Sequence, residues 1–294
     1  MGKIVVDIGG TKTVVAEFKN GILSIIARFP TADRYQDQID AILESLGDRS
    51  PIDAVSIGAP GPLRPEDGII SNPPNLPQWK NVPLAKVLSE RLGGIPVKLE
   101  NDANLGALGE AHFGAGKEYG TVFYLTISTG IGAGIVIDGV IFGGYKTMAG
   151  EVHAIDPGLF FGKPSGYNII ERASGPGMLR HATRLIKQGM QSSLDIERLS
   201  TSDLFEAFDK EDHVATEVVQ TARHALTGLI ACVSTIVAPD IVVLGGGLCT
   251  NPAWFVDPLR YELPRALSIP ELKDIPIRRA MLWDSAVLYG AAIL

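Results

Sequence analysis

Apolar positions along this chain follow two spacings in turn, short continuous or alternating runs and runs with a period near 3.6. Residues 4–8, 13–18 and 23–29 read as three consecutive strands, and Asn20-Gly21 between the last two is a hairpin signal. Ile39, Ile42, Leu43 and Leu46 then fall at helical spacing, which predicts a helix over 36–46. A short apolar strand at 54–57 runs into the rigid loop Gly58-Ala59-Pro60-Gly61-Pro62. The proline-rich stretch 72–79 reads as loop. Residues 82–92 predict a helix that Asn81 caps, with Pro83 in its first turn.

An extended run at 95–99 leads into Glu100-Asn101-Asp102-Ala103-Asn104 and an Ala/Leu/Gly helix. Asn and Asp side chains accept the free N–H groups of a first helical turn, so Asp102 is a candidate cap. A second set begins near Gly120, with strands at 122–127 and 131–137 and the turn Asp138-Gly139. Helical spacing follows at 176–187, 215–237 and 253–267, where Pro258 and Pro264 are expected to break the last. A strand at 241–244 ends in Gly245-Gly246-Gly247; a last strand at 275–280 and a last helix at 285–294 close the chain.

The stretches VVDIGGTKTVVAEFKNG and YLTISTGIGAGIVIDGV share one grammar of strand, small-residue turn, strand and Asn/Asp-Gly turn. Thr11 matches Thr129, and Asn20-Gly21 matches Asp138-Gly139 at the same offset. This is the mark of an internal duplication, and it predicts two α/β lobes of similar topology around a cleft. The seam is expected near the Gly-rich Phe113-Gly114-Ala115-Gly116-Lys117. That gives a smaller N-terminal lobe over 1–115 and a larger one over 116–284, with the helix at 285–294 packed back on the first.

With 294 residues, 46% hydrophobic and 20% charged, the chain has the composition of a soluble globular protein. Its net charge of −7 and lack of Lys/Arg runs argue against nucleic-acid binding. Two cysteines, Cys232 and Cys249, are too few for a disulfide framework. No secretory leader and no membrane-length apolar run are read, so a cytoplasmic location is expected.

Three glycine loops carry candidate chemistry. In Asp7-Ile8-Gly9-Gly10-Thr11-Lys12 a strand ends in a carboxylate, and two glycines let backbone N–H groups approach an anion. Asp7 could hold a hydrated Mg²⁺. Ser128-Thr129-Gly130-Ile131-Gly132-Ala133-Gly134 offers the same hydroxyl and amide donors, without a P-loop Gly-Lys-Ser/Thr. Gly245-Gly246-Gly247 would let a flat adenine or ribose lie against backbone. Glu151, His153 and Glu171 suit the hydroxyls of a sugar.

These motifs, in this order, resemble the ROK family of sugar kinases within the superfamily of actin-like ATPase domains. The resemblance covers nearly the whole chain, from Asp7-Ile8-Gly9-Gly10-Thr11-Lys12 to Val243-Leu244-Gly245-Gly246-Gly247. It implies a ribonuclease H-like, two-lobed kinase that binds a sugar and ATP with Mg²⁺, and a homodimer. Asp102 takes the role of catalytic base. Asn101, Glu151, His153 and Glu171 are implied at the sugar, as are Gly61 and Asn75. Gly9, Gly10, Thr11, Lys12, Thr129 and Gly130 fall at phosphates, and Gly246 and Gly247 border the adenosine.

The pattern departs from the family at Gly150-Glu151-Val152-His153-Ala154, where Ala154 stands at the family histidine's position and His153 one residue early. The segment 160–171 has none of the cysteines of the family's zinc motif, so no zinc is expected. Only Met1-Gly2-Lys3 precede the first strand, so the helix-turn-helix arm of the family's repressors is not expected. The function expected is phosphorylation of a hexose 6-hydroxyl, glucose first, with N-acetylmannosamine and fructose as alternatives. A sugar sensor without catalysis is the alternative of another class.

Overall fold

The computed structural model describes residues 2–49, 51–156, 167–251 and 253–294. The first strands form a meander, β1 (Gly2–Ile8), β2 (Lys12–Lys19) and β3 (Ile22–Pro30), followed by α1 (Tyr35–Leu46) and β4 (Ile52–Ala59). Two short strands, β5 (Leu63–Arg64) and β6 (Ile69–Ile70), precede α2 (Leu84–Arg91), β7 (Val97–Asn101) and α3 (Asp102–Phe113). Next come β8 (Thr121–Ile127), β9 (Ile131–Ile137), β10 (Val140–Ile141), α4 (Ile169–Ala173) and α5 (Gly175–Lys187). The chain ends with α6 (Thr201–Asp209), α7 (His213–Val237), β11 (Ile241–Gly245), α8 (Val256–Ala266), β12 (Ile277–Arg279) and α9 (Ala286–Ile293).

The duplication read from the sequence is visible in the topology. One sheet runs β3-β2-β1-β4-β7 and the other β10-β9-β8-β11-β12, the same order counted from each set's first strand. The matching turns also agree. Asn20 and Gly21 have φ of 53° and 80°, and Asp138 and Gly139 have 50° and 78°, the left-handed pair a two-residue hairpin turn requires.

The chain divides into two compact units, Met1–Glu118 with Gly134–Ala149 and Met281–Leu294, and Tyr119–Ala133 with Gly150–Ala280. In the first, Ile4, Val6 and Ile8 of β1 join Ile39 and Ile42 of α1 and Leu84 and Leu88 of α2 in one core. Strand alternation puts Val5 and Asp7 on the opposite face. There α9 packs on β1 and β4 and lies against α3. The α3–α9 crossing is close: a Cβ on Gly290 would come within 2.0 Å of the Leu105 carbonyl oxygen, and one on Gly109 within 2.2 Å of that of Ala286. Buried Glu110 of α3 accepts the N–H groups of Ala115, Met281 and Leu282 and so fixes both ends of this packing. In the second unit, Phe123, Leu125, Val242 and Leu244 of the sheet are buried, and Phe205 of α6 stacks on Trp254 at 3.9 Å.

Some expectations change. α2 starts at Leu84 rather than at 82, because Val82 pairs with Ile70 across a bridge; Asn81, at φ 50°, caps nothing. Pro258 does not break α8, since it lies in the first turn, where its missing N–H has no helical partner to lose. Pro264 sits inside the helix, which ends two residues later at Ala266. The short helices α4 and α6 escape hydrophobic periodicity, although Ser200 and Asp203 form a capping box that the sequence displays.

Candidate active site

Three parallel neighbours, β1, β4 and β7, deliver their following loops to one edge of the first sheet. Asp7 pairs in register with Gly58, and Gly58 with Glu100, so the chemistry-bearing residues lie in a row across the strands. Ligands bind at the carboxyl ends of such strands because the loops, freed from ladder hydrogen bonds, point their donors outward there.

At the end of β7 the cap is Asn101, not Asp102. Asn101 Oδ1 accepts the N–H groups of Ala103 at 2.9 Å and Asn104 at 3.2 Å, while Asp102 is the first helical residue. Asp102 Oδ1 accepts the Ala103 N–H at 2.8 Å and stays at the positive end of α3. Sequence reading missed two supports. Glu100 Oε1 accepts both the Asn101 N–H (2.8 Å) and Asn104 Nδ2 (3.0 Å), and both Glu100 and Asn104 are buried. The spacing of Glu100 and Asn104, four residues apart across the strand–helix junction, was the available signal.

Asp7 closes β1. Burial first, and then the charge of Asp102, raise its carboxyl from 3.8 to about 7, against the opposing pull of Lys12. The structure thus brings Asp7 and Asp102 into one electrostatic neighbourhood. Lys12 gives little relief because it is exposed and pairs with Asp284 at 3.7 Å. The loop is tight, with the Gly9 N–H donating to the Lys12 carbonyl at 2.9 Å. Behind it Thr31 Oγ1 donates to the Gly9 carbonyl, and buried Gln38 Nε2 donates to Thr13 Oγ1. Asn75 lies against the glycines, 2.9 Å from where a Cβ on Gly10 would stand. Thr11 is exposed, and Gly61 sits on the loop between β4 and β5.

In the second unit Thr129-Gly130 follow β8 and Gly246-Gly247 follow β11, its parallel neighbour. Gly246, at φ 85°, approaches the β8 loop so closely that a Cβ would come 2.4 Å from the Ile127 carbonyl oxygen. Beside Gly247 there is open space, which leaves room for a flat group. The Ser128 N–H donates to Gly130, and the Ser128 carbonyl accepts the Gly175 N–H that opens α5, both at 2.9 Å. Glu151 Oε2 lies 3.1 Å from His153 Nδ1, and this hydrogen bond raises the imidazole above its usual 6.5 against the effect of burial. Glu171 also serves α4 structurally: its Oε2 accepts the Asn168 N–H in a capping box. Among the described residues no group of three or more His, Cys, Asp or Glu side chains could hold a metal. The zinc expectation falls largely on 157–166, outside the described residues.

Glycine loops after the parallel strands of two sheets with the same order define a two-lobed actin-like ATPase fold. The profile of the ROK family matches residues 3–294, and the chain belongs to that family. It is 30% identical to the glucokinase of Thermotoga maritima over 98% of this chain and 96% of that protein. It is 31% identical to the N-acetyl-D-glucosamine kinase of Escherichia coli over 98% and 97% of the two chains. The xylose repressor of Caldicellulosiruptor bescii is 29% identical over 80% of this chain and 60% of the repressor. Among solved structures, a ROK family glucokinase from Streptomyces griseus, in complex with glucose and AMPPNP, superposes with a TM-score of 0.81 at 27% identity, covering 100% of this chain and 98% of that one.

Proposed function

We propose that this protein transfers the γ-phosphoryl group of ATP to the 6-hydroxyl of a hexose, with glucose as the first substrate. The observation that carries the reading is the placing of Asp102, at the positive end of α3, in the electrostatic neighbourhood of half-buried Asp7 beside the first glycine loop. In the proposed reaction the sugar hydroxyl oxygen bonds to the γ-phosphorus as its bond to the departing ADP oxygen breaks. Asp102 takes the hydroxyl proton. A loose phosphoryl-transfer transition state depends mostly on positioning and electrostatics, so it needs no strong base. Asn101, Asn75, Glu151, His153 and Glu171 are assigned to the sugar hydroxyls.

Two neighbouring carboxylates, with their nearest lysine engaged elsewhere, make a hard-oxygen site that fits Mg²⁺ held through water by Asp7. When bound, Mg²⁺ would neutralise charge on the nucleotide phosphates. The glycine loops at 9–12, 129–130 and 246–247 are assigned to the phosphates and adenosine. Glucokinase relatives along the whole chain support the substrate order. N-acetylmannosamine and fructose come next, and no zinc is required. The working form we infer is a cytoplasmic homodimer; among the described residues no helix is long and apolar enough to cross a membrane.

The test is Asp102→Asn, which keeps the acceptor for the Ala103 N–H and removes the base. A coupled ADP assay over a sugar panel should show loss of about 10²–10⁴-fold in kcat. Near wild-type turnover in the variant refutes the assignment. The second reading, a sensor that binds sugar without phosphorylating it, is favoured by the repressor relative. Sugar binding without sugar-dependent ADP formation by the wild-type protein would establish it.

A further inference from the structure

Helices α4, α5 and α7 of the second unit surround a pocket of about 290 Å³, and of its lining residues only Glu171 is given a part in the proposed reaction. Its wall carries Tyr167, Arg172, Arg180, His181, Arg184 and Thr221. Three arginines line this one concavity in a chain of net charge −7. Two of them are held in place by Tyr167: Arg172 Nε donates to its carbonyl oxygen at 3.2 Å, and the Arg184 guanidinium lies 4.6 Å from its ring centroid. Among the described residues none of the three arginines has a carboxylate at ion-pair distance, whereas Arg64, Arg91 and Arg260 each do. Glu171, the acid on the wall, already accepts the Asn168 N–H. His181, half-buried among these groups, is held below its usual pKa by burial and by the charge of Arg184, with partial relief from Glu217.

We propose that this pocket binds a small phosphoryl-bearing anion through Arg172, Arg180 and Arg184. Guanidinium forks match the oxygens of a phosphate in bidentate geometry, and in a partly enclosed site these charge-assisted bonds are strengthened. The positions of Arg172 and Arg184 are pre-set by Tyr167, which lowers the ordering cost of binding. Two sources share this chemistry, inorganic phosphate and the phosphorylated sugar that the proposed reaction releases. The helices around the pocket also carry site residues: Glu171 lies on α4, and the first N–H of α5 holds the Ser128 carbonyl of the second glycine loop. Occupancy therefore couples to sugar and nucleotide affinity; this coupling rests on the kinase reading, while the binding itself does not.

The chain has 5 histidines, so the His181 imidazole resonance can be assigned and used as a local reporter. The full chain, without sugar or nucleotide, is titrated at constant ionic strength with inorganic phosphate and separately with glucose 6-phosphate. A saturable His181 shift is expected, weakened by about tenfold or more in Arg180→Gln/Arg184→Gln. Arg180→Glu, at an exposed position, weakens it further while circular dichroism stays unchanged. Tighter binding of glucose 6-phosphate assigns the site to the reaction product, and equal binding to the phosphate group alone. An absent or non-saturable His181 shift with both anions, or equal affinity in the folded variants, overturns the proposal. Sugar-dependent ADP formation, measured in parallel, fails or succeeds independently, so a lost kinase reading is distinguishable from a lost anion site.

Discussion

Asp7 is held in a place where its own charge is unwelcome, and removing that charge has a calculable effect on stability. Its carboxyl titrates near 7 in the folded chain, against 3.8 for the ordinary group. Below about pH 4 the residue is protonated folded or unfolded, and it contributes no penalty. As pH rises toward 7 the unfolded chain releases the proton and the folded chain keeps it, so stability falls through this window and levels off above it. At about 1.4 kcal/mol per pH unit, a shift of roughly three units costs the folded chain about 4 kcal/mol above pH 7, of which up to about 3 kcal/mol accrues between pH 5 and pH 8. Asp7→Asn keeps the shape and removes the titration. Urea unfolding of both proteins in EDTA, without nucleotide, should show the variant gaining up to that 3 kcal/mol on the wild type between pH 5 and pH 8, while the proposed sugar-dependent ADP formation falls. A difference that does not change with pH would refute the account of Asp7 as a desolvated carboxylate under the charge of Asp102.

Three further outcomes are expected. Asn101→Ala removes the α3 cap and should cost about 1 kcal/mol in chemical unfolding, with Asn101→Asp restoring most of it. Gly290→Ala forces a Cβ into the Leu105 carbonyl, so a loss of about 2 kcal/mol or more is expected, read as a lower thermal midpoint; an unchanged midpoint would contradict the close α3–α9 crossing. NMR titration should place the His153 pKa above 6.5 and return it toward that value in Glu151→Gln. Because the raised pKa favours the charged imidazole, any stabilisation from this pair is present below pH 6.5 and fades as pH rises past the folded value. Both side chains are well exposed, which keeps that contribution small.

Much of this molecule was legible one residue type at a time. Apolar runs located β1, β2, β3, β8 and β9 to within a residue or two, because a strand's burial pattern is written directly in its own side chains. Asn20-Gly21 and Asp138-Gly139 announced their turns, since glycine and asparagine tolerate the left-handed backbone there at low cost. The glycine loops, and the strand-to-helix junction at 100–104, were readable as candidate chemistry for the same local reason. Less legible were features that depend on neighbours distant in the chain. α2 is shortened by a bridge to Ile70, and the capping role passes from Asp102 to Asn101 because Asn101 keeps the extended backbone of β7 while Asp102 is already helical.

By itself, then, the sequence determined the alternating α/β order, the repeated strand-and-turn grammar and the residue types at the loops. These follow from steric and hydration preferences within a few residues of each other. Only the tertiary structure decided that β1, β4 and β7 run parallel side by side, which sets Asp7, Gly58 and Glu100 in register and brings Asp7 under the charge of Asp102. It alone decided that Gly109 and Gly290 are needed for the α3–α9 contact, that Glu110 ties α3 to residues 281–282, and that Arg172, Arg180 and Arg184 line one pocket with Tyr167. Burial, and the low local dielectric that comes with it, belong to the packed chain as a whole; the same aspartate or arginine has neither until the fold has closed around it.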